Sequence, residues 1–244
     1  MLKVLLRDSS RKKFIDKHFE KEIKINRQFI YFPLGVDLER NILIAAPHFT
    51  NQIEVIRSIV KALPIGYELW VKENPAQSLR SWRAISDYKE ILSIPNVRLF
   101  HPDVSNFDLI KNCSMVATVG GSSGLEGALY GKPSIIFSDT LYSELSCVKR
   151  VREIENLPEI INSTLKETVD SHEISKFLQL VEKNSFEFDR LGFNTLQTDT
   201  FFYNGSLLDT EINEETMKHF LIKNTKTIQV LGNEFTKQIN SKIA

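Results

Sequence analysis

The chain is short of cysteine. Cys113 and Cys147 are its only two in 244 residues, too few for a disulfide framework or a zinc ligand set. Both lie in apolar-rich segments and read as reduced, partly buried thiols of a cytoplasmic protein. Excess charge is also missing. Lysine and arginine total 31, as do aspartate and glutamate, so the basic footprint of a dedicated nucleic-acid binder is absent and no nucleic-acid partner is expected. No segment reaches the ~18 consecutive apolar residues of a membrane span, and Met1-Leu-Lys-Val-Leu-Leu-Arg7 has too short an apolar run for a signal peptide. Three motifs are lacking as well: a D-x-D pair for a metal-held diphosphate, G-x-x-x-x-G-K-[ST], and H-E-x-x-H. No metal and no cofactor are therefore expected.

What remains is an ordinary globular composition, 42% hydrophobic and 25% charged, long enough for one large domain with an appended tail. The first 30 residues mix Arg11, Lys12, Lys13 and Lys17 with Phe14, Ile15 and Phe19 in the spacing of a short amphipathic helix. Gln28–Gly35 follows as a strand or extended connector. From Asn41 to Asp139 strand and helix patterns alternate. Asn41–Ala46, Tyr67–Lys72, Asn96–Phe100, Met115–Val119 and Ser134–Phe137 read as strands. Asn51–Leu63, Ser81–Leu92, Asp108–Cys113 and Gly124–Tyr130 read as helices, with Asn51 as a cap. Such alternation with short connections predicts a doubly wound α/β domain around a parallel sheet. Beyond Val151 the pattern turns helical, over Leu157–Leu165, Ser171–Lys183 and Glu214 to about Ile243, with a polar, aromatic stretch from Phe186 to Leu208. The domain reading is an N-terminal helix and connector over 1–35, the α/β domain over 36–150 and a helical extension over 151–244.

Ligands of parallel sheets sit beyond the carboxyl ends of the strands, which directs attention to three loops. Gly120-Gly-Ser-Ser-Gly-Leu-Glu126 runs from a strand into a helix. Its glycines admit a ligand to the backbone, Ser122 and Ser123 offer hydroxyls, and the helix start offers free N–H groups. That combination suits a phosphate or diphosphate, with Glu126 placed to accept from ribose hydroxyls; the competing reading is a tight turn and cap. Lys72-Glu73-Asn74-Pro75 puts a point charge and a rigid turn after the second strand, or simply ends it with a solvated pair. His101-Pro102 follows the third strand; a lone loop histidine is more often a hydrogen-bonded residue than a catalyst. A serine-esterase elbow at Ser122 would need an acid and then a histidine later in the chain, and only His172 and His219 follow.

Taken together, Phe32-Pro-Leu-Gly-Val-Asp-Leu-Glu39, Asn51–Arg57, Leu63-Pro-Ile-Gly66, Val71-Lys-Glu-Asn-Pro75, Pro95–Leu99 and Gly120–Glu126 through Tyr130-Gly-Lys-Pro-Ser134 resemble the capsule polysaccharide biosynthesis family, over residues of about 30 to 143. The resemblance implies one Rossmann-like half of a bacterial GT-B glycosyltransferase, the half that holds the nucleotide sugar. It further implies a CMP-activated donor such as that of 3-deoxy-manno-octulosonic acid (Kdo), and a surface polysaccharide or glycolipid acceptor. In the family a histidine–proline pair and a serine pair contact the donor phosphate. Carried over, these become Asn74-Pro75 and Ser122-Ser123, with Gly120, Gly121 and Gly124 shaping the loop, Glu126 near the ribose and Lys72 steadying the leaving group. Asn74 departs from the family's histidine: it can donate a hydrogen bond but carries no charge and transfers no proton. His101 is the one candidate base within the chain. Only about 30 residues precede the resemblance, so an N-terminal half-transferase chain is an expected partner, and a non-catalytic binding or assembly subunit is the alternative. A nucleotide-sugar epimerase of related fold is a third reading. The expected location is the cytoplasm, extending to the periphery of the inner membrane.

Overall fold

The computed structural model describes residues 2–37, 40–79, 82–205 and 210–243. Leu38 and Glu39 of the family-like segment, Ser81 at the start of an expected helix, and Leu208 lie outside them. In chain order the elements are α1 (Leu2–His18), β1 (Gln28–Pro33), α2 (Arg40–Leu43), α3 (Gln52–Lys61), β2 (Tyr67–Lys72), α4 (Ile85–Ser93), β3 (Val97–Phe100), α5 (Asn106–Asn112), β4 (Met115–Thr118), α6 (Ser123–Leu129), β5 (Ser134–Ile136), β6 (Val148–Arg150), α7 (Leu157–Thr164), α8 (Ser171–Lys183), α9 (Arg190–Phe201), α10 (Glu214–Lys223) and α11 (Thr225–Ile243). The chain divides into two compact units, Met1–Leu178 and Gln179–Ala244.

The first unit carries the sheet. Its six strands are all parallel, in the order β3-β2-β1-β4-β5-β6. The expected doubly wound, Rossmann-like sheet is therefore present, with one reassignment. Its first strand is Gln28–Pro33, where the sequence left a choice between strand and connector. Asn41–Ala46, expected as a strand, is instead the short helix α2 and the turn after it. The reason is burial. Phe29, Ile30, Tyr31 and Phe32 are all fully buried, as a central strand covered on both faces requires, whereas Leu43 and Ile44 stay exposed. β6, three residues long, was not expected.

Alternation along the strands sorts the core onto two faces. Ile30, Phe32, Leu69, Val71, Met115 and Ala117 face α3, α4 and α7 through Val55, Ile56, Ile59, Tyr88, Ile91, Leu157 and Ile161. Phe29, Tyr31, Trp70 and Val116 face the other way, toward Leu109 and Ile110 of α5. Helix α3 shows the local logic. The Asn51 side chain accepts from the N–H groups of Ile53 and Glu54, a cap worth about 1 kcal/mol. The apolar face that follows buries three large side chains, each worth roughly 1.5–3 kcal/mol.

The borders of the sheet are short or occupied. Beside β3, Glu20 donates its N–H to Leu99 O and accepts from His101 N–H, both at 2.9 Å. The Arg98 guanidinium pairs with the Glu20 carboxylate and lies over the Trp70 ring. At the opposite border β6 ends in Lys149 and Arg150.

In the second unit the aromatic stretch after Phe186 contains a helix, α9, which the sequence did not announce. Gly192, Asn194 and three threonines weaken its propensity, while Asp189 caps it through Gly192 N–H at 2.9 Å. The single tail helix expected from Glu214 is two, divided at Asn224, which caps the end of α10. Phe193, Phe201 and Phe220 cluster within this unit.

Candidate functional site

The order β3-β2-β1-β4-β5-β6 reverses direction between β1 and β4. There the chain leaves the two strands toward opposite sides and a crevice opens at their carboxyl ends. A cavity of about 260 Å³ occupies this crevice, walled by the exits of β1 (Pro33–Val36), β2 (Lys72–Pro75) and β4 (Thr118–Ser123) and by Tyr31, Asn106 and Glu126. Of the residues singled out from sequence, the structure brings together Lys72, Asn74, Pro75, Gly120, Gly121, Ser122, Ser123 and Glu126.

Lys72 is the most costly of them. It is 3% exposed, and no carboxylate among the described residues lies within ion-pairing distance of it. Burial pulls its pKa down to about 8, against weaker opposing pulls from Glu73 and Asp103. Asn74 uses its amide oxygen to accept from Ala76 N–H at 3.0 Å, which starts the turn Pro75–Leu79 and leaves its amide NH2 as donor.

The β4 exit is shaped by close contacts. Gly120 has no room for a side chain, since a Cβ there would strike Ser138 Oγ, which is buried and donates to Val119 O at 2.8 Å. Thr118 Oγ1 accepts from Gly121 N–H at 3.0 Å, and the Tyr142 hydroxyl donates to Gly121 O. Ser122 Oγ donates to Glu126 Oε1 at 2.6 Å, so the two residues meet the pocket as a linked pair. Gly124 does not line the cavity. Its Cα sits against the Tyr142 ring, where a Cβ would lie 2.7 Å from the hydroxyl oxygen, so its smallness serves packing.

His101 also lies elsewhere. Its Nδ1 accepts from Asp103 N–H at 3.2 Å, which leaves Nε2 to donate to Asp16 of α1 at 3.0 Å. It lines a separate cavity with Lys12, Asp16 and Trp82. The residue thus ties α1 to the end of β3.

Sequence reasoning missed Tyr31 and Asn106, which face the pocket joined by a 3.0 Å bond from the tyrosine hydroxyl to Asn106 Oδ1. Burial raises the Tyr31 pKa, with a lesser push from Glu126, and keeps the hydroxyl a donor. The signal was available in Tyr31 as the lone hydroxyl of an apolar strand. The exit of β1 was missed because that strand was displaced to Asn41–Ala46. Both cysteines are buried free thiols, and Cys113 Sγ donates to Ile110 O at 3.2 Å; burial pushes the Cys113 thiol up to about 12 and raises Cys147 as well.

A six-stranded parallel sheet with a crevice at its switch point, lined by a glycine-serine turn and a buried lysine, defines a Rossmann-like α/β domain. The model of the family described as capsule polysaccharide biosynthesis protein matches residues 2–147, and the chain belongs to that family. The match takes in α1, ahead of the segment where the resemblance was first legible. A search of curated protein sequences returned no match. Among solved structures, the chain is similar to the KpsC beta Kdo 2,7 transferase of Thermosulfurimonas dismutans, at 13% identity and a TM-score of 0.44, over 74% of this chain and 63% of that one. It is similar to the KpsC beta Kdo 2,4 transferase of the same organism, at 15% identity and 0.42, over 64% and 51%. It is also similar to the UDP-GlcNAc 2-epimerase of Methanocaldococcus jannaschii, at 13% identity and 0.44, over 75% and 51%. The chain spans between half and two-thirds of the length of these proteins. No helix among the described residues is long and apolar enough to cross a membrane.

Proposed function

We propose that the switch-point pocket holds a nucleotide sugar, CMP-activated, and that the domain is the donor-binding half of a glycosyltransferase building a capsular or surface polysaccharide. The observation that carries this reading is Lys72, a buried cation with no carboxylate partner among the described residues, opening on the same cavity as the Gly120–Ser123 turn. Burying an unpaired ammonium is unfavourable, and an anionic ligand removes the penalty. In transfer, the bond between the sugar's anomeric carbon and the phosphate oxygen breaks, and the nucleotide leaves with the electron pair as the acceptor hydroxyl attacks. Lys72, the Asn74 amide, the Ser123 hydroxyl and the Gly120 backbone meet the charge that builds on that phosphate. Ser122 joins them by exchanging its bond to Glu126 for the phosphate, while Gly121, its N–H held by Thr118, shapes the turn. Pro75 walls the site, and Glu126 accepts from the ribose. The proposal includes no metal.

One observation favours a second reading, a binding or assembly subunit without turnover. Glu73 is committed to Arg83 and Tyr88, Glu126 accepts from Ser122, and His101 faces another cavity. Among the described residues the pocket therefore offers the acceptor's proton no carboxylate or imidazole free of an internal hydrogen bond. In the transferase reading, a second domain or a half-transferase chain brings both acceptor and base.

Calorimetric titration with CMP, CMP-Kdo, UDP and UDP-N-acetylglucosamine tests the site. A cytidine ligand is expected to bind, and to lose about tenfold or more in affinity in the Ser122→Ala/Ser123→Ala variant through removal of two polar contacts. Binding of the uridine ligands alone would overturn the CMP assignment; no binding by folded protein would overturn the donor site itself.

A further inference from the structure

We infer that Arg83, which stands outside the pocket, is the positioning residue that sets the geometry of two of its walls. This rests on the donor-site reading above. The Arg83 side chain is 6% exposed and sends its three guanidinium nitrogens to three acceptors on two loops. Nε donates to Glu73 Oε2 at 2.9 Å, Nη1 pairs with Asp37, and Nη2 donates to Gly35 O. Gly35 and Asp37 leave β1; Glu73 leaves β2.

The surrounding polar groups complete the clasp. Gln52 of α3 accepts from Gly35 N–H at 2.7 Å and donates to Gly35 O at 3.0 Å and to Asp37 Oδ1 at 3.1 Å. Gln77 Oε1 accepts from Asp37 N–H at 2.9 Å. The Tyr88 hydroxyl donates to Glu73 Oε2 at 2.8 Å, and Glu73 Oε1 accepts from Asn74 N–H at 2.7 Å. Gly35, Glu73 and Asn74 are all pocket walls, so one planar fork fixes the spacing between the β1 and β2 exits. A lysine, with a single charged point, cannot bridge three divergent acceptors in this way.

The clasp also governs charge. Glu73 adjoins Lys72, and its carboxylate is the strongest pull opposing the burial that lowers the lysine's pKa. With both carboxylate oxygens engaged by Arg83, Tyr88 and the Asn74 N–H, Glu73 is held off Lys72. Without Arg83 a buried carboxylate is left unpaired, with Lys72 the cation next to it in the chain. Arg83 thus both spaces the walls and reserves Lys72 for the ligand's phosphate.

Hydrogen exchange and CMP titration on the full chain test this, comparing wild type with Arg83→Met and Arg83→Lys. In Arg83→Met, amides of Gly35, Asp37 and Asn74 are expected to exchange faster while those of Ile135 and Ile136 in β5 hold. CMP affinity is expected to fall about tenfold or more, the loss one misplaced charge-assisted contact brings. Arg83→Lys is expected to fall between. If Arg83→Met does not fold, Asp37→Asn, at the partly exposed end of the clasp, carries the same comparison. Unchanged exchange at the three loop amides, or unchanged affinity in a variant whose loops have loosened, would overturn the inference. If wild type binds no nucleotide while the loop amides still loosen in Arg83→Met, the donor reading fails and the setting of the loops by Arg83 stands.

Discussion

Lys72→Met is expected to weaken binding of a nucleotide ligand by about 10- to 100-fold, the worth of one charge-assisted contact to a phosphate, while leaving the protein at least as stable. A residue that serves the fold shows the opposite pairing of effects. Lys72 is buried, and its pKa of about 8, against an ordinary 10.5, records that the folded protein disfavours its charge. Methionine fills similar space without that penalty. Isothermal titration and urea unfolding on the same preparation separate the two effects; loss of stability with affinity intact would assign Lys72 to the fold.

The same group fixes the sign of a pH dependence. On the proposed donor site a phosphate is met by the protonated amine, so wild-type affinity is expected to decline as pH rises through about 8, by about tenfold between pH 7 and pH 9 if the neutral amine contributes nothing. In Lys72→Met the profile flattens. For the ligand-free protein the linkage runs the other way. Between about 8 and 10.5 the unfolded chain holds the Lys72 proton more firmly than the folded one, so this lysine makes stability rise with pH there and fall again as pH drops through about 8.

Gly120→Ala is expected to destabilise the domain by about 1–3 kcal/mol, the range for forcing an extra carbon into a filled space, and to weaken ligand binding by moving the β4 exit. The new Cβ would meet Ser138 Oγ, itself buried and bonded to Val119 O. Ser138→Ala removes that atom, and the remaining Ser138 Cβ lies 3.4 Å from where the alanine Cβ would sit, an ordinary contact. Val119 O still accepts from Phe137 N–H at 3.2 Å, so the serine's loss alone is expected to cost only about 0.5–1.5 kcal/mol. Gly120→Ala/Ser138→Ala should therefore be more stable than Gly120→Ala by itself. Additive losses in a double-mutant cycle followed by urea unfolding would refute the steric account.

Much of this arrangement was readable from residues. Tyr67–Lys72, Asn96–Phe100, Met115–Val119 and Ser134–Phe137 stand out as apolar runs closed by turn residues, and the Gly120–Glu126 turn declares itself by composition and context. Where the reading went astray, the local signal was ambiguous. A short apolar run such as Asn41–Ala46 does not distinguish strand from helix, and only pairing on both sides picks Gln28–Pro33 as the central strand. β6 is three residues with two cations, below any periodic signal. The clasp of Asp37, Gln52, Glu73, Gln77, Arg83 and Tyr88 is assembled from separate segments, and no spacing in the sequence connects them. His101 carried a plausible signal at a strand's carboxyl end, but its side chain is satisfied by Asp16 on a helix 85 positions earlier.

The guarded borders of the sheet bear on how the protein behaves when crowded. A parallel sheet whose outermost strand is bare offers a row of backbone groups onto which another chain can add a strand and begin an aggregate. Here Glu20 takes up one donor–acceptor pair beside β3, Arg98 lays a charge over the adjacent face, and β6 is too brief and too cationic to template a neighbour. The sheet thus discourages newcomers at its margins while keeping a cavity of about 260 Å³ at its strand ends.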